Sequence, residues 1–559
     1  MPKPTMLSSS QNGLAVKVYR GAGSALLVMD LEKDKTENLA GFAIQCTPPG
    51  KAPFFLLNRL NFETGVHAGT SPANRQWTPS NLAPFQKFRW SHFLSEEVTG
   101  SAVYTYAVTA MYYVKSGLEK GATASVAIDL GPDPFDKFDV GFTRGYLSSQ
   151  AYAEKFKNAP FRPKDKSIDF DTTPYQEQYR WLGGRAREMV FSFLEEALND
   201  PDATVDLFAY DLDEPDFVRG LQKLGTRLRA VLDDADLHTK PGALEIQAKG
   251  LLLKSAGPAN IAIGHFKRFA HDKVMILKKG GKPVKVLTGS ANFSLRGLYV
   301  QANNLLLFDE PTVAQKYEDA FQTAFTQMNK FTSSSSASQW FEFSLQETPP
   351  FSVAFSPHKS SDLSLAPVAK AIADAQVSVL FAVMDLGGSG DVLQSLQNLG
   401  ERDKIFGYGV TQNDKGLNLF KPGVKNGEFA AFSYLKDKVP ENFREEWNGG
   451  PGQVIHNKFV VVDFNGADPI VFTGSSNLAA GGEESNGDNL LAIRDRDIAT
   501  LYAVEAIRLV DHYHFRFALK NATDIKPLTL APSGTAWWAD YYNPAHPKCR
   551  EREAFSKND

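Results

Sequence analysis

Residues 456–489 read HNKFVVVDFNGADPIVFTGSSNLAAGGEESNGDN, and residues 271–304 read HDKVMILKKGGKPVKVLTGSANFSLRGLYVQANN. Both carry His, Lys, Gly-Ser, Asn and a later Asn at one internal spacing. The pairs are His271 and His456, Lys273 and Lys458, Gly289 and Gly474, Ser290 and Ser475, Asn292 and Asn477, and Asn304 and Asn489. Each pair is separated by the same 185 positions that separate 271 from 456. Chance matches at one register are improbable, so the chain contains a duplicated module.

Outward from each motif, the apolar runs KVMIL and KVLTGS, or KFVVVD and IVFTGS, read as two buried strands joined at Gly280-Gly281 or Asn465-Gly466. Upstream, RAREMVFSFLEEALND, ATVDLFAYDL and DFVRGLQKLG give helix, strand, helix; LAPVAKAIADAQ, VSVLFAVMDL and DVLQSLQNLG repeat that order. Each half is therefore expected to be α/β, a sheet covered by helices, with the halves related by a pseudo-two-fold. Asp211 aligns with Asp385 at a shorter offset than the motifs, which places about 11 extra residues in the second copy, within 421–455. Residues 1–135 show short alternating apolar runs punctuated by Gly, Pro, Asn and Asp, the pattern of an immunoglobulin- or fibronectin-like β-sandwich. The expected organisation is a sandwich over 1–135, a first half over 136–331, a Ser-rich linker over 332–345, a second half over 346–530 and an aromatic tail over 531–559. Within the sandwich, Phe88, Trp90 and His92 alternate and are expected to pack one sheet face. Trp537, Trp538, Tyr541 and Tyr542 are expected to dock the tail onto the core.

At 559 residues the chain exceeds one ordinary core, and 43% apolar with 22% charged residues marks a globular protein. No run of 18 apolar residues exists, and MPKPTMLSSSQNGL lacks the apolar core of a signal peptide. Cys46 and Cys549 alone exclude a cysteine-rich metal site and fit a reducing compartment, so a cytoplasmic location is expected. His512 and His514 lie two apart on a helix and do not share a face, so no metal pair is expected there. The net charge of −4 is uninformative, but residues 240–300 hold 11 Lys and Arg against Glu245 and Asp272, a field that concentrates polyanions.

In an H-x-K strand the His and Lys side chains share one face. The T-G-S-x-N turn that follows adds a hydroxyl, an amide and glycine-loosened N–H groups, donors suited to phosphate oxygens. Two copies would bring two imidazoles and two ammoniums to one groove. The lysines offset the charge of a phosphodiester, one neutral imidazole attacks phosphorus, and the other, protonated, donates to the leaving oxygen before activating water. The set needs no cofactor, and its spacing suggests no metal ligands. His271, Lys273, His456, Lys458, Asn292 and Asn477 are the expected catalytic residues. Gly289, Ser290, Gly474 and Ser475 are expected at the substrate.

These residues resemble the phospholipase D superfamily, whose signature is H-x-K-x4-D followed by G-S-x-N. His456, Lys458, Asp463, Gly474, Ser475 and Asn477 fit it throughout, whereas Lys278 occupies the Asp place in the first copy. The resemblance covers about 180–520 and implies a phosphohistidine intermediate, metal independence and substrates from phospholipids to nucleic acids. Tyrosyl-DNA phosphodiesterases of the superfamily also dispense with the motif Asp. Small bacterial nucleases of the superfamily place a Glu 13 residues after the motif Ser to hold an imidazole; here Asn303 and Asp488 stand there. Asp488, Asp463, Asn303, Asn304 and Asn489 are thus the expected orienting residues. Asp488 can contact His456 in its own half or reach across to His271; either way His271 is the expected nucleophile.

The expected activity is phosphodiester cleavage, on a nucleic acid given the basic segment. A phospholipase D acting on headgroups is the alternative, with the aromatic 136–180 region and tail making peripheral membrane contact. An inactive phosphate-binding module comes third. With both half-sites in one chain, a monomer suffices for catalysis.

Overall fold

The computed structural model describes all residues except 1–2, 67–74, 95–97, 99, 132–134, 165–166, 403–404, 413–426, 432–453, 524 and 557–559. Most of the insertion expected within 421–455 lies outside the described residues.

The N-terminal region folds as two antiparallel four-stranded sheets. One orders Met6–Gln11, Leu14–Gly21, Ser24–Leu31 and Arg89–Phe93; the other orders Gly117–Asp129, Val103–Val114, Leu39–Thr47 and Phe54–Phe55. Alternation explains the packing, since Val16, Val18, Leu27, Ile44, Tyr106, Val108 and Val126 point into one shared core. On the face holding Phe88, Trp90 stacks on Phe85 with ring centres 3.7 Å apart. There His92 Nδ1 meets the Tyr106 hydroxyl at 2.8 Å, and burial lowers the His92 imidazole to about 4.

The two halves that follow are built to one plan. The first sheet runs Phe138–Phe142, Asn304–Phe308, Lys282–Gly289, Val274–Lys279, Ala203–Ala209, Leu228–Leu232, Ile261–Ile263. The second runs Phe351–Ser356, Asn486–Ile493, Ile470–Gly474, Lys458–Val462, Ser378–Val383, Phe406–Thr411, Gly427–Ala431, with Phe341–Phe343 added at the edge. Strand for strand the order is the same. Each motif His-x-Lys opens a central strand whose apolar residues are buried on both faces, as expected of sheets covered by helices. The first hairpin turns at Gly280-Gly281, both with positive φ, 56° and 75°.

The halves are stitched together by two short parallel pairings, and these decide the site. Ala270 pairs with Gly487, and Ile455 pairs with Ala302. The two pairings are symmetry mates, because 455 and 487 are 270 and 302 advanced by the same 185 positions.

The serine tract alternates exposed and half-buried residues and packs only at its end. Ser336 and Ala337 are buried, and the Ala337 carbonyl accepts the Nδ1–H of buried His358 at 2.8 Å. The tail docks. Trp537, Tyr541 and Tyr542 surround Phe88 of the sandwich, and Phe555 meets Tyr19 of the sandwich and Phe406 and Phe464 of the second half.

Candidate active site

The stitching carries each motif histidine to the other half. In a parallel pair, residues one step on are also neighbours. Pairing of Ala270 with Gly487 therefore sets His271 beside Asp488, and pairing of Ile455 with Ala302 sets His456 beside Asn303. The Nδ1 atoms lie 2.7 Å from Asp488 Oδ1 and 2.8 Å from Asn303 Oδ1. Of the two contacts open to Asp488 in the sequence, the structure makes the one across the halves.

A second tier repeats the exchange. Asn304 donates to Thr473 at 3.0 Å and to the Tyr502 hydroxyl at 2.8 Å, while Asn489 accepts from Thr288 at 3.1 Å and donates to Asp272 at 2.8 Å. The serine hydroxyls expected at the substrate sit inside this frame. Ser290 Oγ donates to Asn303 Oδ1 at 2.8 Å and receives the Asn304 N–H at 2.9 Å; Ser475 Oγ receives the Asn489 N–H at 3.0 Å. Gly289 and Gly474 make the close approach possible. Their φ values are +147° and +144°, and a Cβ would stand 2.4 Å from the Asn304 carbonyl oxygen or 2.3 Å from that of Asn489.

The lysines fold back on their own strands: Lys458 Nζ is 2.8 Å from the His456 carbonyl and 3.3 Å from Nε2, and Lys273 Nζ donates to the His271 carbonyl. All four side chains are buried, and their electrostatics mark one shared site. Burial first, then both Lys273 and Lys458, hold His271 and His456 well below the usual imidazole range. Burial lowers Lys273 to about 8 and Lys458 well below its ordinary value, with Asp488 and Asp211 opposing. Burial also pushes Asp488 and Asp272 up to about 7. A neutral His271 with its Nδ1–H on Asp488 keeps its lone pair at Nε2. Asn292 Nδ2 donates to Asp211 at 2.7 Å, and the Oδ1 atoms of Asn292 and Asn477 are buried without a partner among the described residues.

Asp463 lies elsewhere. Five residues along an extended strand is about 16 Å, and its carboxylate accepts the N–H groups of Gln376, Val377 and Ser378 at 2.7 to 2.9 Å. It orients a neighbouring strand rather than an imidazole. Lys278 serves the same sheet region with opposite charge, paired with buried Asp206, which Arg229 also grips at 2.7 Å.

Several site residues carry no motif signal. Tyr210 lies edge-on to His271 with ring centres 4.7 Å apart and 4.9 Å from Lys273 Nζ. Arg296 acts on His456 through space. His238 Nε2 meets Asp211 at 2.8 Å and its Nδ1 meets Asp233 at 2.9 Å. Asp211, His238 and Glu245 bring one donor atom each within 4.8 Å of one another, but both His238 nitrogens already meet carboxylates, so the ring offers no free lone pair to an ion. The sequence marks position 211 only through its match to position 385, and Tyr210 and Arg296 fall within the repeated stretches but at unmatched positions.

A family described as "Cardiolipin synthase, PLD-like domain" matches residues 194–325 and 370–510. No curated protein matches the chain. Among solved structures, the chain is similar to phosphatidylserine synthase from Haemophilus influenzae at 11% identity, covering 58% of this chain and 84% of that one with a TM-score of 0.40. Nuc from Salmonella typhimurium, a phospholipase D family member, matches at 23% identity over 25% of this chain and 88% of its own, TM-score 0.21. Polyphosphate kinase from Porphyromonas gingivalis matches at 12% identity over 63% of this chain, TM-score 0.36; the match spans only 52% of the kinase's own length.

Proposed function

We propose, for a chain that belongs to the phospholipase D superfamily, that it cleaves phosphodiesters through a covalent phosphohistidine on His271. The observation that carries this reading is the crossed pairing: His271 faces a carboxylate and His456 a neutral amide, each supplied by the opposite half. Attack of His271 Nε2 on phosphorus leaves the ring cationic, and Asp488 stabilises that cation. His456 has no carboxylate at Nδ1 and serves as the acid. Its Nε2–H passes to the leaving oxygen as the P–O bond breaks. Neutral His456 then takes a proton from water, the hydroxide oxygen bonds phosphorus, and the bond to His271 breaks.

Lys273 and Lys458 supply the charge neutralisation. Two unit charges 4 Å apart at an effective permittivity near 20 attract by about 4 kcal/mol before desolvation. The entering anion offsets the two ammoniums that depress His456, so substrate binding itself prepares the acid. The basic 240–300 segment favours a nucleic acid, in a chain whose described residues include no helix long and apolar enough to cross a membrane. A phospholipid headgroup is the second reading, but the aromatics expected at a membrane are instead packed inside, Tyr146, Tyr152 and Phe161 in the core and Tyr541 against Phe88.

The test is a parallel assay, with EDTA, on bis-p-nitrophenyl phosphate, single-stranded DNA and phosphatidylcholine vesicles. Cleavage of the first two, abolished in His271→Ala, with a 32P-labelled acid-labile adduct trapped on His271, is expected. Choline release without DNA cleavage would move the substrate to lipid. No cleavage of any substrate would remove the reading.

A further inference from the structure

We propose that Asp211, His238 and Asp233 are positioning residues: a buried Asp–His–Asp chain that fixes Asn292 at one end and the backbone entering His271 at the other. The inference rests on the phosphohistidine reading and adds to it a device that holds the attacking histidine and its neighbour Asn292.

The chain can be followed atom by atom. Asn292 Nδ2 donates to Asp211 Oδ2 at 2.7 Å, and His238 Nε2 donates to Asp211 Oδ1 at 2.8 Å. His238 Nδ1 donates to Asp233 Oδ1 at 2.9 Å, and Asp233 Oδ2 receives the N–H of Ala270, the residue before His271, at 2.6 Å. With a carboxylate on each nitrogen, His238 is held as an imidazolium, raised to about 10 against the opposing effect of burial; Glu245 adds to the rise. Two carboxylates and one imidazolium leave the chain one negative charge in excess, next to the reacting groups.

Tyr210 transmits the packing. Its ring is edge-on to His238 at 4.6 Å and to His271 at 4.7 Å, so neither imidazole can turn without displacing it. The electrostatic reach is as direct. Asp211 and Asp233 favour protonation of His271 and Lys273 and counter the lowering by burial; on His271 they also oppose Lys273 and Lys458. Arg296 and Lys273 in turn favour the ionised form of Asp211, as does His238.

Asn292 is held with its carbonyl unclaimed, and His271 is held between Asp488 on one side and Tyr210 on the other.

Asp211→Asn keeps the shape and removes the charge. Assayed on bis-p-nitrophenyl phosphate, it is expected to lower kcat about tenfold or more and to move the acid limb of kcat/KM to lower pH, because His271 loses an anion that favours its protonation. Asp211→Glu restores part of the rate. Ring-15N spectra of histidine-labelled protein supply a readout independent of turnover. His238 is expected to stay doubly protonated above pH 8 in the wild type and to lose that state in Asp211→Asn. The proposal is overturned if wild-type His238 titrates near its ordinary value, or if folded Asp211→Asn keeps both the wild-type kcat and the wild-type limb. An active wild type with an unmoved Asp211→Asn overturns this proposal alone. A wild type that cleaves no phosphodiester removes the phosphohistidine reading and this proposal with it.

Discussion

A carboxylate facing one imidazole and an amide facing the other is a difference of a few atoms, yet it assigns the roles. Asn303→Asp tests the assignment. A new carboxylate at His456 Nδ1 favours the imidazolium and raises the His456 pKa. If His456 is the acid, it must be protonated, so the alkaline limb of kcat/KM moves to higher pH, by about one unit for a neighbouring opposite charge. If His456 were the nucleophile, it would have to be neutral, and the acid limb would move up instead. Asp488→Asn should lower kcat by on the order of 10²-fold, the scale of a misplaced acid–base partner. A further consequence concerns the two profiles of the wild type. In the free enzyme both lysines depress His456; bound phosphate offsets them. The optimum of kcat should therefore lie at higher pH than that of kcat/KM, and coincident optima would contradict substrate-prepared protonation. Much at this scale was legible in the sequence. His271, His456 and the lysines stand out because a duplication preserves spacing. The partner of Asp488 was not legible, because it depends on which strands the halves exchange, and two parallel bridges of one or two residues leave no periodic trace.

At the scale of strands, the motif splits into residues that do chemistry and residues that hold the sheet. Asp463 gathers three backbone N–H groups at the start of Ser378–Val383. Asp463→Ala should cost about 2–4 kcal/mol, from roughly 0.5–1.5 kcal/mol per lost bond, read as a lower urea midpoint. The pH limbs of the folded fraction should stay where they are; a moved limb would place Asp463 in the acid–base machinery. Lys278 shows why the motif Asp is dispensable in the first copy. There the carboxylate sits on the adjacent strand as Asp206, and the cation comes from the motif position. A pattern written as H-x-K-x4-D records the residue and not the contact, so a position that ties down the adjacent strand by a different bond reads as a departure. The glycines before each serine are the stricter requirement. Gly474→Ala would force a side chain to 2.3 Å from the Asn489 carbonyl oxygen at a φ of +144°. A cost of about 2 kcal/mol or more is expected, with activity falling alongside stability because Asn489 and Asp488 share the displaced strand.

Across the whole chain, the ends close on each other in a way that sequence patterning marked only as an aromatic tail. Aromatic composition says that Trp537, Tyr541 and Tyr542 will be buried somewhere; it does not say that Phe555 will reach past the sandwich into the second half. Phe555 lies between Tyr19 on one side and Phe406 and Phe464 on the other, and Arg89 of the sandwich joins Glu551 of the tail to Asp511 of the long helix Arg496–Asn521. The tail is thus a peg between two units that otherwise meet along that helix. Removing 531–559 should expose Phe88 and Tyr19 and forfeit the burial of Tyr541 and Phe555, each worth about 1.5–3 kcal/mol. Cooperativity depends on such coupling between units. The full chain should therefore unfold in one calorimetric transition, whereas the shortened chain should show two, the sandwich melting first and the paired halves later. The crossed strands at Ala270–Gly487 and Ala302–Ile455 keep the halves from separating further, so the second transition should not divide. Activity should survive between the two transitions, since none of the groups around His271 and His456 lies in the sandwich or the tail. Activity lost together with the first transition would show that the sandwich supports the site.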